Sequence, residues 1–357
     1  MPKLFIPGPT DVDPEVLEAQ AQPMIGHRSQ QCADLIADIH PRLQEVFGTR
    51  SPVFISTSSG TGLQEAAMRN CVSGRVLVGV CGAFAERWHQ VAIDNGLNAG
   101  RIDADWGTAI TPEQVEAALK VGTYDTLAIV HNETSTGVQN PVKEIAERAR
   151  QISPDIVILI DAVSSVGGVE LHADAWGLDV VLTSSQKCFA LPPGLAFAAV
   201  SDRALARAEQ IEHRGWYFDF LRLLRYHKRS MTPATPAISL LFALDKQLDR
   251  MLAEGLSNRY QRHLDMAEYT RSWGQEHFEL FAQEGARSNT VTTITNTQRT
   301  DIPAMNKFLT AHGMQIANGY GPLKNKTFRI GHMGETTVAD LEKLTRTMQS
   351  FLKFEDA

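Results

Sequence analysis

The sequence predicts an α/β fold, with a large domain on a mostly parallel sheet and a smaller α+β domain at the C-terminal end. Three observations carry this. Short, nearly continuous apolar runs recur along the first two-thirds of the chain, the pattern of strands covered on both faces. Capped helical stretches lie between them, an alternation that places crossover helices beside a parallel sheet. After about residue 235 the order changes to two long helices, then strand, helix, strand, helix. At 357 residues the chain is long enough for two such units.

Residues 1–20 contain Pro7, Pro9 and Pro14 and are expected to be extended. The large domain is expected over 21–245 and the small one over 246–357. Residues 53–56, 75–80, 126–131, 156–161, 180–183 and 196–200 read as strands, each apolar at almost every position. Thr111-Pro112-Glu113-Gln114 opens a helix: Thr caps it, Pro occupies its first position, and Gln three residues on completes a capping box. A second helix follows Asn140-Pro141 and runs to about Gln151. Helices are expected at 240–252 and 260–281. A β-branched strand at 290–295, a helix at 302–312, a strand at 327–330 and a final helix at 337–351 complete the chain.

Composition excludes several classes. Hydrophobic residues are 43% and charged residues 21%, ordinary for a globular protein and too apolar for wholesale disorder. The net charge of -7 is a poor match for nucleic acid, whose binding faces are basic. No run approaches the ~18 apolar residues of a membrane span. The opening Met1-Pro2-Lys3-Leu4-Phe5-Ile6-Pro7 lacks the apolar core of a secretory signal. Cys32, Cys71, Cys81 and Cys188 form no C-x-x-C pair, and no histidines lie at zinc-finger spacing, so no metal site is expected. These features read as a soluble cytoplasmic protein with reduced thiols.

Four places carry chemistry. Lys187 follows a buried strand inside an uncharged stretch, Ser184-Ser185-Gln186-Lys187, where desolvation favours a neutral, nucleophilic amine. Asp161 ends the apolar run Ile156-Val157-Ile158-Leu159-Ile160, at the strand end where open α/β sheets bind ligands. It lies one crossover unit before Lys187, so acid and amine can share a pocket. A helix cap or turn residue is the plainer reading of Asp161. Ser58-Ser59-Gly60-Thr61-Gly62 opens a helix and offers free N–H groups to a phosphate, though it is neither a P-loop nor a dinucleotide fingerprint. Phe84, in Gly82-Ala83-Phe84 past a strand end, can lie flat on a cofactor ring or simply fill the core.

These pieces, in this order, resemble the class V aminotransferases of the fold-type I enzymes that use pyridoxal 5'-phosphate (PLP), close to the alanine–glyoxylate and serine–pyruvate group. The match is nearly full-length. It takes in Pro7-Gly8-Pro9-Thr10, Ser58 to Ala67, His131-Asn132-Glu133-Thr134-Ser135-Thr136-Gly137-Val138 and Asp161 to Gly168. It continues with Ser184 to Lys187, Pro192-Pro193-Gly194 and Phe328-Arg329-Ile330-Gly331-His332-Met333-Gly334. The resemblance implies that Lys187 is the lysine that binds the cofactor aldehyde. It implies that Asp161 faces the pyridine nitrogen, Val163 packs on the ring and Phe84 stacks on it. Ser59, Gly60, Thr61 and Gln186 match the phosphate cradle. Thr232, or alternatively Thr235, matches a phosphate contact lent by a second subunit, which implies a homodimer with shared sites. Gly8 and Arg329 match substrate contacts, with Arg329 gripping the carboxylate.

Gly26-His27-Arg28-Ser29 departs from the alanine–glyoxylate pattern. His27 and Arg28 resemble the pair that meets the substrate phosphate in phosphoserine aminotransferases; a structural loop is the plainer reading. The expected function is transfer of an amino group from a small L-amino acid, alanine or serine, to a 2-oxo acid, glyoxylate or pyruvate. Rivals are phosphoserine or aspartate transamination, cysteine desulfuration on the same fold, and a binding protein without catalysis.

Overall fold

A computed structural model describes residues 1–353 of the chain. The N-terminal segment holds strand β1 (Lys3–Phe5) and helix α1 (Pro14–Ala19), so the expected extended conformation stops at Asp13, whose carboxylate caps α1. Then follow α2 (Gln30–Phe47), β2 (Val53–Ser56), α3 (Gly60–Cys71), β3 (Arg75–Val80), α4 (Ala83–Asp94) and β4 (Asn98–Asp103). Next are α5 (Pro112–Val121), β5 (Thr126–Val130), a two-stranded hairpin of β6 (Asn132–Glu133) and β7 (Val138–Gln139), α6 (Val142–Ile152) and β8 (Val157–Asp161). β9 (Val180–Ser184), β10 (Ala196–Val200), α7 (Asp202–Glu209) and α8 (Phe220–His227) lead to the long helices α9 (Ile238–Glu254) and α10 (Leu256–His277). β11 (Glu279–Leu280), β12 (Val291–Thr295), α11 (Ile302–Ala311), β13 (Met314–Asn318), β14 (Thr327–Gly331) and α12 (Val338–Leu352) finish the chain.

The central sheet has the order β2-β10-β9-β8-β5-β3-β4. β4, β3, β5, β8 and β9 pair in parallel, and β10 runs antiparallel to both β9 and β2. Alternate residues of each central strand enter two different cores. In β8, Ile158 and Ile160 join Ile36, Leu43 and Leu248 on one face, whereas Val157 and Leu159 join Leu63, Trp88 and Phe220 on the other. That two-sided burial explains why these strands read as unbroken apolar runs. Thr111 forms the expected capping box at α5, with Pro112 at its start.

The second sheet, β1-β13-β14-β12-β11, draws its edge strand from the N-terminus: β1 pairs in parallel with β13. α10, α11 and α12 cover it through Met266, Trp273, Leu309 and Leu344. α9 is continuous across residues 245 and 246, and Leu248 and Met251 share the large core with Leu241 and Leu244. The chain turns sharply at Gly255, whose φ of +82 suits a residue without a side chain. Among the described residues no helix is long and apolar enough to cross a membrane.

Candidate active site

The parallel strands β3, β5, β8 and β9 end on one edge of the sheet. The segments beyond those ends, with α3 after β2, enclose a cavity of about 150 Å³. Ser59, Gly60, Thr61, Phe84, Asp161, Val163, Gln186 and Lys187 all line it.

Lys187 stands at its floor. Burial pushes the Lys187 amine down to about 8 from an ordinary 10.5, and the nearby Arg329 pushes the same way. Its Nζ donates to the Pro7 carbonyl. Gly8 lies against the lysine tail, where a Cβ would fall 2.6 Å from Nζ, and its φ of +106 favours a residue without a side chain. Thr10 holds the N-terminal segment in place by donating from its N–H to the Gln186 carbonyl (3.1 Å) and from Oγ1 to the Lys187 carbonyl (3.2 Å).

Asp161 is 5% exposed. One carboxylate oxygen accepts from Val163 N (2.9 Å) and the other from Gln64 Nε2 (2.5 Å). Burial raises the carboxyl to about 6, and these two hydrogen bonds pull it back part of the way. A buried carboxylate so placed is stabilised by a cation, such as a protonated ring nitrogen. Gln64 was quoted in the sequence motif without a role; its spacing along α3 after Gly60 was the available signal.

Ser59 caps α3 by accepting from Gly62 N (3.4 Å). The N–H groups of the first turn stay directed at the cavity end, a ready anion site. A Cβ at Gly60 would overlap Val163, which fixes the close approach of loop and strand end. The buried hydroxyl of Ser184, on the cavity lining, has no hydrogen-bond partner among the described residues. A buried amine, a buried carboxylate, a glycine-bearing helix N-terminus and an unpaired hydroxyl together suit a phosphorylated pyridine aldehyde.

Phe84 is positioned from outside its own helix. Gly82 caps α4 without a side chain, and the buried Glu133 carboxylate accepts from Phe84 N (3.1 Å), Ala85 N (2.9 Å) and Ser135 Oγ (2.6 Å) instead. Nothing in the sequence around Glu133 marks this role, because its partners lie on α4, 48 and 49 residues away. The Phe84 ring lies 5.4 Å from the Tyr320 ring and 5.0 Å from the Arg87 guanidinium carbon. Arg329 is 8% exposed; it donates from Nη1 to the Thr134 carbonyl (3.2 Å) and from Nε to the Asn318 carbonyl (3.1 Å). Arg329 does not itself line the cavity; it lies behind Thr134, which does. Burial lowers the Arg329 guanidinium to about 10.

The remaining predicted residues lie apart. Within one chain neither His27, Arg28, Thr232 nor Thr235 lines the cavity. Arg28 donates to the carbonyls of Thr232 (2.7 Å) and Pro233 (3.0 Å) and lies over the Tyr226 ring. Thr232 and Thr235 line a separate surface pocket with Thr57, Trp216 and Tyr217. Cys188, beside the lysine, is fully buried; its Sγ points to the Ser164 carbonyl at 3.7 Å, and burial raises its thiol to about 12.

A lysine and an aspartate on the ends of neighbouring parallel strands, below a glycine-opened helix, define a PLP enzyme of fold type I. The model of the class-V aminotransferases matches residues 5–344. An uncharacterized aminotransferase of Methanocaldococcus jannaschii is 40% identical, covering 93% of this chain and 87% of that one. An L-aspartate–glyoxylate aminotransferase of Paracoccus denitrificans is 32% identical over 94% and 87%. The solved alanine–glyoxylate aminotransferase of Nostoc sp. superposes with a TM-score of 0.93 at 30% identity, over 98% of this chain and 95% of that one. The chain belongs to the class V aminotransferases and is a PLP-dependent transaminase.

Proposed function

We propose that the enzyme moves the amino group of a small L-amino acid, alanine or serine, to glyoxylate or pyruvate. One observation carries the donor class: Arg28, the cation that a phosphoserine side chain requires, does not line the cavity within the chain and binds the Thr232 and Pro233 carbonyls. Arg329, bonded to Thr134 of the cavity lining, spends Nη1 and Nε on carbonyls but pairs with no carboxylate among the described residues, which leaves Nη2 for a substrate carboxylate. Glyoxylate is the acceptor named for both the Paracoccus relative and the Nostoc structure. Four unpaired cysteines accord with the cytoplasm. All four are buried, which speaks against desulfuration, since that chemistry needs an accessible thiol.

When bound, PLP supplies the electron sink for a carbanion at the substrate α-carbon. The chain's residues do the rest. Lys187 would hold the aldehyde carbon. Its depressed pKa leaves a substantial neutral fraction near pH 8, so its Nζ, once released, could take the α-proton of the substrate and return it. Asp161, steadied by Val163 N and Gln64, would keep a proton on the ring nitrogen. Val163 and Phe84 would hold the ring, and the first turn of α3 would receive the phosphate. Ser59 and Thr61 are exposed in the single chain, and a second copy is inferred to cover them.

A matrix of amino donors against oxo acids tests the reading. Alanine and serine with glyoxylate should turn over, and Lys187→Ala should abolish both while remaining folded. A strong preference for phosphoserine sinks the proposal.

A further inference from the structure

Arg87 follows Phe84 by one turn of α4 and lines the same cavity as Lys187. An arginine carries five N–H donors. This one uses a single donor on the protein, from Nη2 to the Tyr320 hydroxyl at 3.1 Å, and rests over the Phe84 ring. Among the described residues no aspartate or glutamate pairs with it, although α4 carries Glu86 on the next position, which turns instead to Arg101. The Arg329 guanidinium carbon also lies 5.5 Å from the centre of the Tyr320 ring. Two arginines without carboxylate partners among the described residues thus contact one tyrosine, Arg87 from the cavity lining and Arg329 from behind Thr134, with most of the Arg87 donors free.

We propose that Arg87 receives a side-chain carboxylate, so that the enzyme takes the four-carbon dicarboxylate aspartate beside alanine and serine. The inference rests on Arg329 as the grip for the α-carboxylate. With that end held, the second carboxylate of a dicarboxylate needs a second fork, and Arg87, which shares Tyr320 with Arg329, offers one on the cavity lining. The transfer balances simply: aspartate leaves as oxaloacetate while glyoxylate becomes glycine. Carrying this cation costs little when alanine is bound. Arg87 is only partly buried, and the Phe84 face and the Tyr320 hydroxyl provide it a resting place. Arg28 does not serve this role from within the chain, because it lies outside the cavity, bonded to the Thr232 and Pro233 carbonyls.

A brace between α4 and the Tyr320 turn is the competing role, and it does not discriminate between donors. The test uses holoenzyme, wild type against Arg87→Gln and Arg87→Lys, with glyoxylate as acceptor. The ratio of kcat/KM for aspartate over alanine should fall about ten- to a hundredfold in Arg87→Gln, the value of a charge-assisted hydrogen bond, mostly through KM. Arg87→Lys should recover part of it. Succinate should inhibit the wild type better than propionate, and Arg87→Gln should erase that difference, read as binding by calorimetry. Equal losses for both donors, or succinate binding no better than propionate in the wild type, overturn the proposal. Arg329→Gln separates the two readings: it should raise KM for alanine and aspartate alike. No change for either donor would remove the Arg329 assignment, while the succinate comparison at Arg87 still judges the second fork.

Discussion

At the scale of single residues, the site is arranged for its cofactor at the expense of the empty protein. Asp161 is the clearest case. Burial raises its folded pKa to about 6 from 3.8, so the folded chain holds the proton more tightly than the unfolded chain does. Its contribution is therefore favourable below pH 3.8 and is lost as pH rises through about 6. At pH 7 the ionised group costs roughly 3 kcal/mol, at about 1.4 kcal/mol per pKa unit. Asp161→Asn should then raise the melting temperature of the cofactor-free protein by a few degrees at pH 7.5, with the gain vanishing near pH 4. The Gln64 amide can turn so that Oε1 accepts from the new amide, which leaves its Nε2 without the acceptor it has now and trims the gain. The same variant should bind PLP weakly and turn over slowly, because the anion beside the ring nitrogen is gone. Melting curves with and without PLP check both halves; a destabilised apo variant would show that the carboxylate is structural.

At the scale of elements, Glu133 does for α4 what Thr111 does for α5, but from a distance. Thr111 lies in the helix's own sequence and was legible as a capping box. Glu133 lies on β6, and only the fold brings its carboxylate to the N–H groups of Phe84 and Ala85. Glu133→Ala should cost about 1–3 kcal/mol for stranding those donors and should loosen Phe84. A drop in melting temperature together with weaker PLP binding is the expected result; unchanged PLP affinity would show that Phe84 holds itself. The same contrast governs what the sequence revealed. Strands apolar on both faces were readable, including β2, β3 and β10 to the residue. β4, at the sheet edge, alternates buried and exposed residues and contains Gly100 and Arg101, so no apolar run marked it. β1 is too short to announce itself and is a strand only because β13 lies beside it. Lys187 and Asp161 were legible because each follows an apolar run. Gln64, Arg87 and Tyr320 were not, because ordinary polar residues on a helix or turn gain meaning only from what faces them.

At the scale of the whole molecule, the proposed dimer would draw on one face, where the threonine segment lies beside the loop that precedes Ser59. Tyr217 donates to the Thr57 carbonyl (3.2 Å) and the Ala237 N–H donates to Thr57 Oγ1 (3.2 Å). These bonds tie the 216–217 turn and the segment around Thr232 and Thr235 to the loop just before Ser59. Trp216 and Tyr217 are 53% and 43% exposed there, large apolar surfaces beside an open cavity end. In a two-fold dimer each contact is made twice: a patch that carries both the open end and the covering segment can close two sites at once. The threonine segment is held for this by Arg28, through the carbonyls of Thr232 and Pro233. Arg28→Ala should therefore weaken the dimer and PLP binding together, with alanine and aspartate turnover affected alike. Sedimentation and cofactor titration over a dilution series measure the two. Thr232→Ala and Thr235→Ala decide which hydroxyl reaches the partner's phosphate, since only one should raise the PLP dissociation constant while the dimer persists. A fully active monomer at nanomolar concentration would mean that Ser59 and the first turn of α3 hold the phosphate unaided, and that the exposed Trp216 face serves something other than a second copy.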